Sequence, residues 1–205
     1  MRIEELKPSK RVQGRWLAVL EDGSILRVGE GEVIDFALYA GKELTDEEAE
    51  TLTAAARRTG LKEKALDLLT RKPLSRKELE RKLGEWEAGE EEMASICSRM
   101  EELGLLNDAA YAAQVVRHYS AKGWGEHKLR DELYRRGVPR GFWDRALSEL
   151  ETNDSSLDEL VRKKLRGAEP TRENLKKVSD YLARRGFGWE EISSALRRYG
   201  ADFED

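Results

Sequence analysis

The 205-residue chain contains one cysteine, two histidines and four prolines. A single cysteine cannot form an intramolecular disulfide, so we expect a reducing compartment and a cytoplasmic protein. His118 and His127 are too few for the usual metal clusters, and Cys97 lies on an apolar stripe where thiols are generally inert. We therefore expect no metal, no cofactor and no enzymatic activity.

Long apolar runs are also missing. No stretch approaches the roughly 20 apolar residues that span a bilayer, and the N-terminal MRIEELKPSKR lacks the apolar core of a signal peptide. We expect no membrane contact.

Charge is abundant but unevenly distributed. Charged residues make up 38% of the chain, and the net charge of −4 argues against a protein whose main role is to coat nucleic acid. Residues 1–50 carry 7 basic and 12 acidic side chains, whereas residues 108–200 carry 19 basic and 15 acidic ones. An acidic partner is therefore expected to bind the C-terminal part.

The N-terminal segment has the pattern of a β-hairpin. Two short apolar runs, Arg15–Leu20 and Ile25–Val28, flank an Asp22-Gly23 turn signal. A two-stranded hairpin is marginally stable alone, so it should pack on a third strand or a helix, for which Val33–Leu38 is available. We predict a β-containing extension over residues 1–44.

Helix signals dominate from Thr45 onwards. Thr45 and Glu48 have the spacing of a capping box, and the helix that they open should run to Lys72, where Pro73 stops it. Gly60 should interrupt the apolar side of that helix. Further along, Asp108 can cap a helix by accepting a backbone N–H bond. Apolar residues at helical spacing predict more short helices, which are too short to be stable without packing partners.

The helical part repeats itself at a period near 50. A shift of 49 residues places Leu133, Arg135, Arg136 and Gly137 on Leu182, Arg184, Arg185 and Gly186. We predict a mainly α fold in which three tandem three-helix repeats form an elongated, curved array behind the β-containing segment. The predicted domains are a linker helix with the first repeat at 45–106, the second repeat at 107–153 and the third at 154–205.

The middle repeat resembles a known family. The motifs that carry the resemblance are Gly104-Leu105-Leu106-Asn107-Asp108-x-x-Tyr111-Ala112, Lys122-Gly123-Trp124-Gly125 and Leu133-Tyr134-Arg135-Arg136-Gly137-Val138. They are similar to the signature of RecX, the bacterial regulator of the RecA recombinase. The Ser75-x-x-Glu78-Leu79 segment and the strand-rich N-terminus are also similar to members of that family.

The resemblance implies a regulator that is not an enzyme. Such a protein is expected to bind the RecA–DNA filament as a monomer and to inhibit ATP hydrolysis, strand exchange and co-protease activity, in recombinational DNA repair and the SOS response. Direct contact with DNA is expected to be weak.

Basic residues of the second and third repeats are the candidates for partner binding, either to RecA or to DNA phosphate. They are Arg135, Arg136, Lys163, Lys164, Lys176, Lys177, Arg184 and Arg185. Each arginine pair precedes a helix-ending glycine, so a favourable interaction with the helix C-terminus explains the pairs equally well.

The family-motif residues are interpreted as structural. They are Gly104, Asp108, Tyr111, Trp124 and Gly137. Trp124 lies between two glycines and could stack on an exposed base, but a tryptophan at such a place more often fills the joint between two helices.

One alternative remains open from the sequence. Short basic helices joined by glycine turns are also typical of helix-turn-helix DNA-binding proteins. The alternative is a helical DNA-binding protein that acts independently of RecA.

Overall fold

The computed structural model describes residues 1–148 and 154–199. The expected repeat boundary at residue 153 lies outside the described residues. Three β-strands come first: β1 (Ile3–Pro8), β2 (Arg15–Leu20) and β3 (Ile25–Gly29). The helices over the described residues are α1 (Glu30–Asp35), α2 (Asp46–Arg71), α3 (Arg76–Glu85), α4 (Glu90–Glu102), α5 (Asp108–Ser120), α6 (Glu126–Arg135), α7 (Trp143–Ser148), α8 (Asp154–Leu165), α9 (Arg172–Arg184) and α10 (Trp189–Arg197).

The three strands form one antiparallel sheet in the order β1-β2-β3. The hairpin between β2 and β3 is confirmed, and it packs on both a helix and a third strand. Val33–Leu38 overlaps the helix, α1, which contacts β2 and β3. The third strand is β1, in which only Ile3 is buried, so no apolar alternation marks it in the sequence. Glu32 accepts a hydrogen bond from the Gly29 backbone nitrogen (2.8 Å) and thereby helps to begin α1.

Helix α2 begins with the predicted capping box. The Thr45 side chain accepts from the Glu48 backbone nitrogen (3.1 Å), and the Glu48 side chain accepts from the Thr45 nitrogen (2.9 Å). The predicted helix up to Lys72 is confirmed, because α2 runs unbroken through Gly60. A helical glycine costs only about 1 kcal/mol relative to alanine, and the apolar face continues beyond it with Leu61 and Ala65 buried.

The chain divides into two compact units. The first contains Met1–Lys72 and Glu80–Leu105. Its sheet packs on α2, and α4 also packs on α2. The buried cluster beneath the sheet consists of Ile3, Ala18, Leu20, Val28, Leu38, Leu44, Leu52 and Ala56.

The second unit contains Pro73–Leu79 and Leu106–Asp205. Helices α5, α6 and α7 surround one apolar cluster, and α8, α9 and α10 surround another. The first cluster contains Tyr111, Ala112, Val115, Val116, Leu129, Leu133, Val138, Trp143, Ala146 and Leu147. The second contains Leu157, Val161, Leu165, Leu175, Val178, Leu182, Ile192, Ala195 and Leu196.

Candidate partner-binding face and repeat junctions

Within the second unit, the start of α3 meets the end of α6. Ser75 Oγ donates a hydrogen bond to the carbonyl oxygen of Arg136. Gly137, which has a φ of +69°, follows at the end of the helix. A Cβ atom on Gly137 would lie 2.5 Å from the Cβ of Lys77, so this junction requires a glycine.

The start of α6 meets the end of α9 in the same way. The Gly125 backbone nitrogen donates to the Arg185 carbonyl (2.9 Å), and the His127 nitrogen donates to the Gly186 carbonyl (3.0 Å). A Cβ atom on Gly186 would lie 2.5 Å from the Cβ of Lys128. Both junctions therefore place a helix-ending glycine against a lysine of the neighbouring helix, at positions about 50 residues apart, although a side-chain hydroxyl donates at the first and backbone nitrogens at the second.

Arg136 is the centre of a polar network at the first junction. Its guanidinium donates to Glu132 Oε1 (2.6 Å), to the Tyr119 hydroxyl (3.1 Å) and to the Tyr111 hydroxyl. The Tyr111 hydroxyl in turn donates to Glu78 Oε2 (2.8 Å), on the start of α3. Tyr111 is buried and its hydroxyl reaches a neighbouring helix.

The network shifts the pKa values of Tyr111 and Glu132, among others. Burial and the hydrogen bond to the Glu78 carboxylate raise the pKa of Tyr111 to about 12. Burial alone would raise the pKa of Glu132, but the hydrogen bonds from Arg135 and Arg136 outweigh it and hold that pKa below its ordinary value. Tyr111 is therefore neutral and Glu132 ionised near neutral pH.

Asp108 does not cap the helix that it begins. Asn107 is the N-cap of α5, since its Oδ1 accepts from the Ala110 nitrogen (2.9 Å). The carboxylate of Asp108 instead accepts from the backbone nitrogen of Arg76 (2.8 Å), at the start of α3. The predicted cap is therefore corrected, because this side chain bonds a helix 32 residues earlier in the chain.

Gly104 and Trp124 occupy turn and joint positions. Gly104 has a φ of +70° after the end of α4, which is the conformation that favours glycine. Trp124 is half-buried against the α5–α7 cluster, and its ring stacks on Tyr119 at a centroid distance of 4.3 Å.

Two of the eight basic candidates lie inside the junctions. The Arg136 side chain is 23% exposed and fully engaged in the network described above. Arg185 donates to the Lys122 carbonyl (2.6 Å), across the second junction. Each arginine pair thus has an inner member that joins two repeats and an outer member, Arg135 or Arg184, that faces solvent.

The six outer candidates are all exposed but differ in their carboxylate partners. Arg135, Lys163 and Lys177 pair with carboxylates on their own helices, at 2.6, 2.8 and 2.7 Å. Lys164, Lys176 and Arg184 form no ion pair with any residue that the structure describes. No carboxylate among the described residues compensates the positive charge of these three side chains.

The described residues offer little for other kinds of site. They contain no group of three His, Cys, Asp or Glu side chains that could hold a metal ion. Cys97 is buried on α4. Across residues 1–148 and 154–199, every helix is too short or too polar to cross a membrane.

Family models of RecX match all three helical regions. The first three-helix domain matches residues 62–100, the second 107–147 and the third 153–196. The regulatory protein RecX of Pseudomonas entomophila is 36% identical over 153 residues, covering 74% of this chain and 94% of the relative. That of Streptomyces coelicolor is 33% identical over 148 residues, covering 68% and 79%. The chain belongs to the RecX family.

Solved RecX structures have the same fold. A crystal structure of regulatory protein RecX is 25% identical, with a TM-score of 0.75 over 96% of this chain and 98% of that one. RecX from Lactobacillus salivarius is 22% identical, with a TM-score of 0.67 over 71% of this chain and 98% of that one. The predicted family is thus confirmed, as is the mainly α fold with three helical domains and a small N-terminal sheet.

Sequence reasoning missed the part that some residues play in joining the RecX domains. Ser75 and Glu78 form a capping box (3.0 Å in both directions), and both also bond residues of the second domain. Glu132 was not singled out, although it is the buried carboxylate beside both arginines. The sequence does contain a signal for it, because a glutamate three and four residues before an Arg-Arg pair lies on the same face of a helix as both arginines.

Proposed function

We propose that this protein binds the RecA–DNA filament and inhibits ATP hydrolysis, strand exchange and co-protease activity, in recombinational repair and the SOS response. Membership of a family of regulatory proteins supports a regulatory role. We further propose that it acts in the cytoplasm as a monomer without catalytic activity.

The observation that carries the proposal is that a helix-ending glycine meets the first turn of a neighbouring helix at both junctions. In each case the arginine pair before that glycine presents one outer member, Arg135 or Arg184, and the two are 49 residues apart in the chain. A filament also presents the same surface on each successive subunit. Equivalent cations on successive repeats suit repeated acidic sites on such a partner.

The exposed cations of the third repeat extend this face. Lys163, Lys164, Lys176 and Lys177 are exposed on α8 and α9. We propose that they contact acidic recombinase surface or DNA phosphate together with Arg184. Arg136 and Arg185 are left out of the proposed contact set, because their guanidinium groups already bond within the junctions.

The test is DNA-dependent ATP hydrolysis by RecA. Substoichiometric amounts of this protein should slow hydrolysis on single-stranded DNA, and an unchanged rate with saturating protein would contradict the proposal. The double variant R135E/R184E should inhibit at least several-fold less well, because two contacts become repulsive.

A matched control makes the same charge change in the first unit. Arg71 and Arg99 are exposed and pair with carboxylates on their own helices, as Arg135 does. The variant R71E/R99E should inhibit like the wild type. Equal inhibition by both double variants would exclude the outer arginines as contacts.

A further inference from the structure

Cations and aromatic rings alternate along one surface of the second unit. Lys164 Nζ lies over the ring of Tyr181 at 5.0 Å from its centroid, and the Arg185 guanidinium lies 5.1 Å from the same ring. Arg185 also donates to the Lys122 carbonyl, which links the third repeat to the second.

The alternation continues on the second repeat. Lys122 Nζ lies 5.1 Å from the Tyr119 ring, which stacks on Trp124, and Lys128 Nζ lies 4.6 Å from the Trp124 ring. We call this set the cation–aromatic ribbon. It consists of Lys164, Tyr181, Arg185, Lys122, Tyr119, Trp124 and Lys128.

The ammonium groups of Lys122, Lys128 and Lys164 form no ion pair with any described residue, and each lies over an aromatic ring. By contrast, Lys163 and Lys177 on the same unit pair with carboxylates four residues away. The ribbon is therefore a local concentration of positive charge within a chain of net charge −4.

The aromatic rings of the ribbon are not the surface on which bases would stack. The Tyr181 ring already contacts two cations, Lys164 and Arg185. The Trp124 ring already contacts Tyr119 and Lys128. The rings instead restrain the lysine side chains, which reduces the conformational entropy that these would lose on binding an anion. The lysines are therefore ordered and lack a carboxylate partner among the described residues, and the rings beneath them are already in contact with other groups. Such a surface suits phosphate groups.

An acidic protein surface fits less well. Protein–protein interfaces have an apolar core and are depleted in lysine. In the ribbon Lys122 and Lys164 are exposed, whereas Lys128 and the rings are half-buried.

We propose that the cation–aromatic ribbon binds the sugar–phosphate backbone of single-stranded nucleic acid without regard to base sequence. The contacts that define the ribbon lie within this chain and do not involve RecA. Given the proposed function, the ribbon is the surface that faces the DNA of the filament. The contacts are electrostatic, so binding is weak at physiological salt and strengthens as salt is lowered.

The experiment measures binding of labelled oligonucleotides to the full chain by fluorescence anisotropy, without RecA, between 20 and 200 mM salt. The ribbon variant is K122Q/K128Q/K164Q. Each lost phosphate contact lowers the salt slope for a single strand by about 0.7, so the variant should lose about 2 units of slope and roughly 100-fold in affinity at 0.1 M salt.

The matched control is K7Q/K10Q/K72Q. It removes the same charge from three exposed lysines of the first unit, all of which lie outside the proposed contact set. The control should bind within about threefold of the wild type, and oligonucleotides of different sequence should bind equally. Circular dichroism should show the same helicity for all three proteins.

Equal losses in the two triple variants would overturn the proposal, as would a wild type that shows no salt-dependent binding at 20 mM. A ribbon variant that binds DNA normally but no longer binds nucleotide-loaded RecA would identify an acidic protein surface as the partner instead. DNA binding through the ribbon together with undiminished RecA activity would contradict the proposed regulatory function and leave the ribbon intact.

Discussion

Gly137 and Lys77 approach each other so closely that a Cβ atom on the glycine would lie 2.5 Å from the lysine Cβ. Gly186 and Lys128 have the same relationship at the next junction, also at 2.5 Å. The end of one helix thus receives the first turn of another at both places. The helix-ending glycines have a second role there, beyond their positive φ, because they leave space for a neighbouring backbone.

Replacing Gly137 with alanine should destabilise the protein by about 2–4 kcal/mol. The positive φ costs an alanine roughly 1–2 kcal/mol, and the overlap with Lys77 adds the cost of moving α3 or straining its first turn. The measurement is urea unfolding followed by tryptophan fluorescence, since Trp124 and Trp143 lie in or against the second-repeat core.

Two other substitutions separate the effect of φ from that of the close contact. Gly104 also has a positive φ, but nothing lies within 4 Å of its added Cβ, so Gly104→Ala should cost only about 1–2 kcal/mol. Glu87, two residues after the end of α3, has a φ of +62°, and Glu87→Gly should stabilise the protein by up to about 1 kcal/mol. If Gly104→Ala and Gly137→Ala cost the same, the close contact contributes nothing.

Arg136→Ala should destabilise the second unit by about 3–5 kcal/mol. The substitution leaves buried Glu132 without one of its two cations and removes the donor to the Tyr111 and Tyr119 hydroxyls. Thermal unfolding monitored by circular dichroism measures the change.

Arg135→Ala is the matched control for this prediction. Arg135 bonds the same carboxylate, but its side chain is 68% exposed, so its loss should cost less than about 1 kcal/mol. Similar losses for the two variants would mean that Arg136 does not hold the junction.

The depressed pKa of Glu132 predicts a specific pH dependence. Because its pKa is lower in the folded than in the unfolded protein, ionised Glu132 stabilises the fold above the unfolded pKa. That contribution is lost as the pH falls through the folded pKa. From pH 5 to pH 3, the free energy of unfolding should therefore fall more steeply for the wild type than for Glu132→Gln.

Urea titrations at several pH values measure the two slopes. At pH 7 the Glu132→Gln variant should be less stable than the wild type, and the two should converge in acid. Glu173→Gln serves as the control, since Glu173 is an exposed carboxylate paired with Lys177. Parallel curves for wild type and Glu132→Gln would show that this carboxylate is not linked to folding.

Features that depend on a few neighbouring residues were predictable from the sequence. The capping box of Thr45 and Glu48 joins residues three apart, and its hydrogen bonds need no tertiary partner. The glycines that follow α4, α6 and α9 are similar local signals, as is the Asp22-Gly23 turn of the hairpin. The period near 50 then indicated that one helical unit recurs, which the three matched domains bear out.

Features that depend on distant partners were not predictable. Strand β1 has a charged, edge-strand sequence, and its pairing with β2 is visible only once the chain is folded. Asp108 is of a residue type that often caps helices, but its carboxylate accepts a hydrogen bond from the backbone nitrogen of Arg76 on another helix. Arg135 and Arg136 are adjacent and identical in kind, yet one faces solvent and the other is held at a junction.

The sequence by itself determined where helices begin and end and that their arrangement recurs, because caps, helix-ending glycines and apolar periodicity act within a few residues of one another. Only the tertiary structure decided which arginine of each pair stays available to a partner. That choice is made by how the next repeat packs on the end of the helix, where a carboxylate, two tyrosine hydroxyls or a backbone carbonyl satisfy one guanidinium and leave its neighbour to solvent.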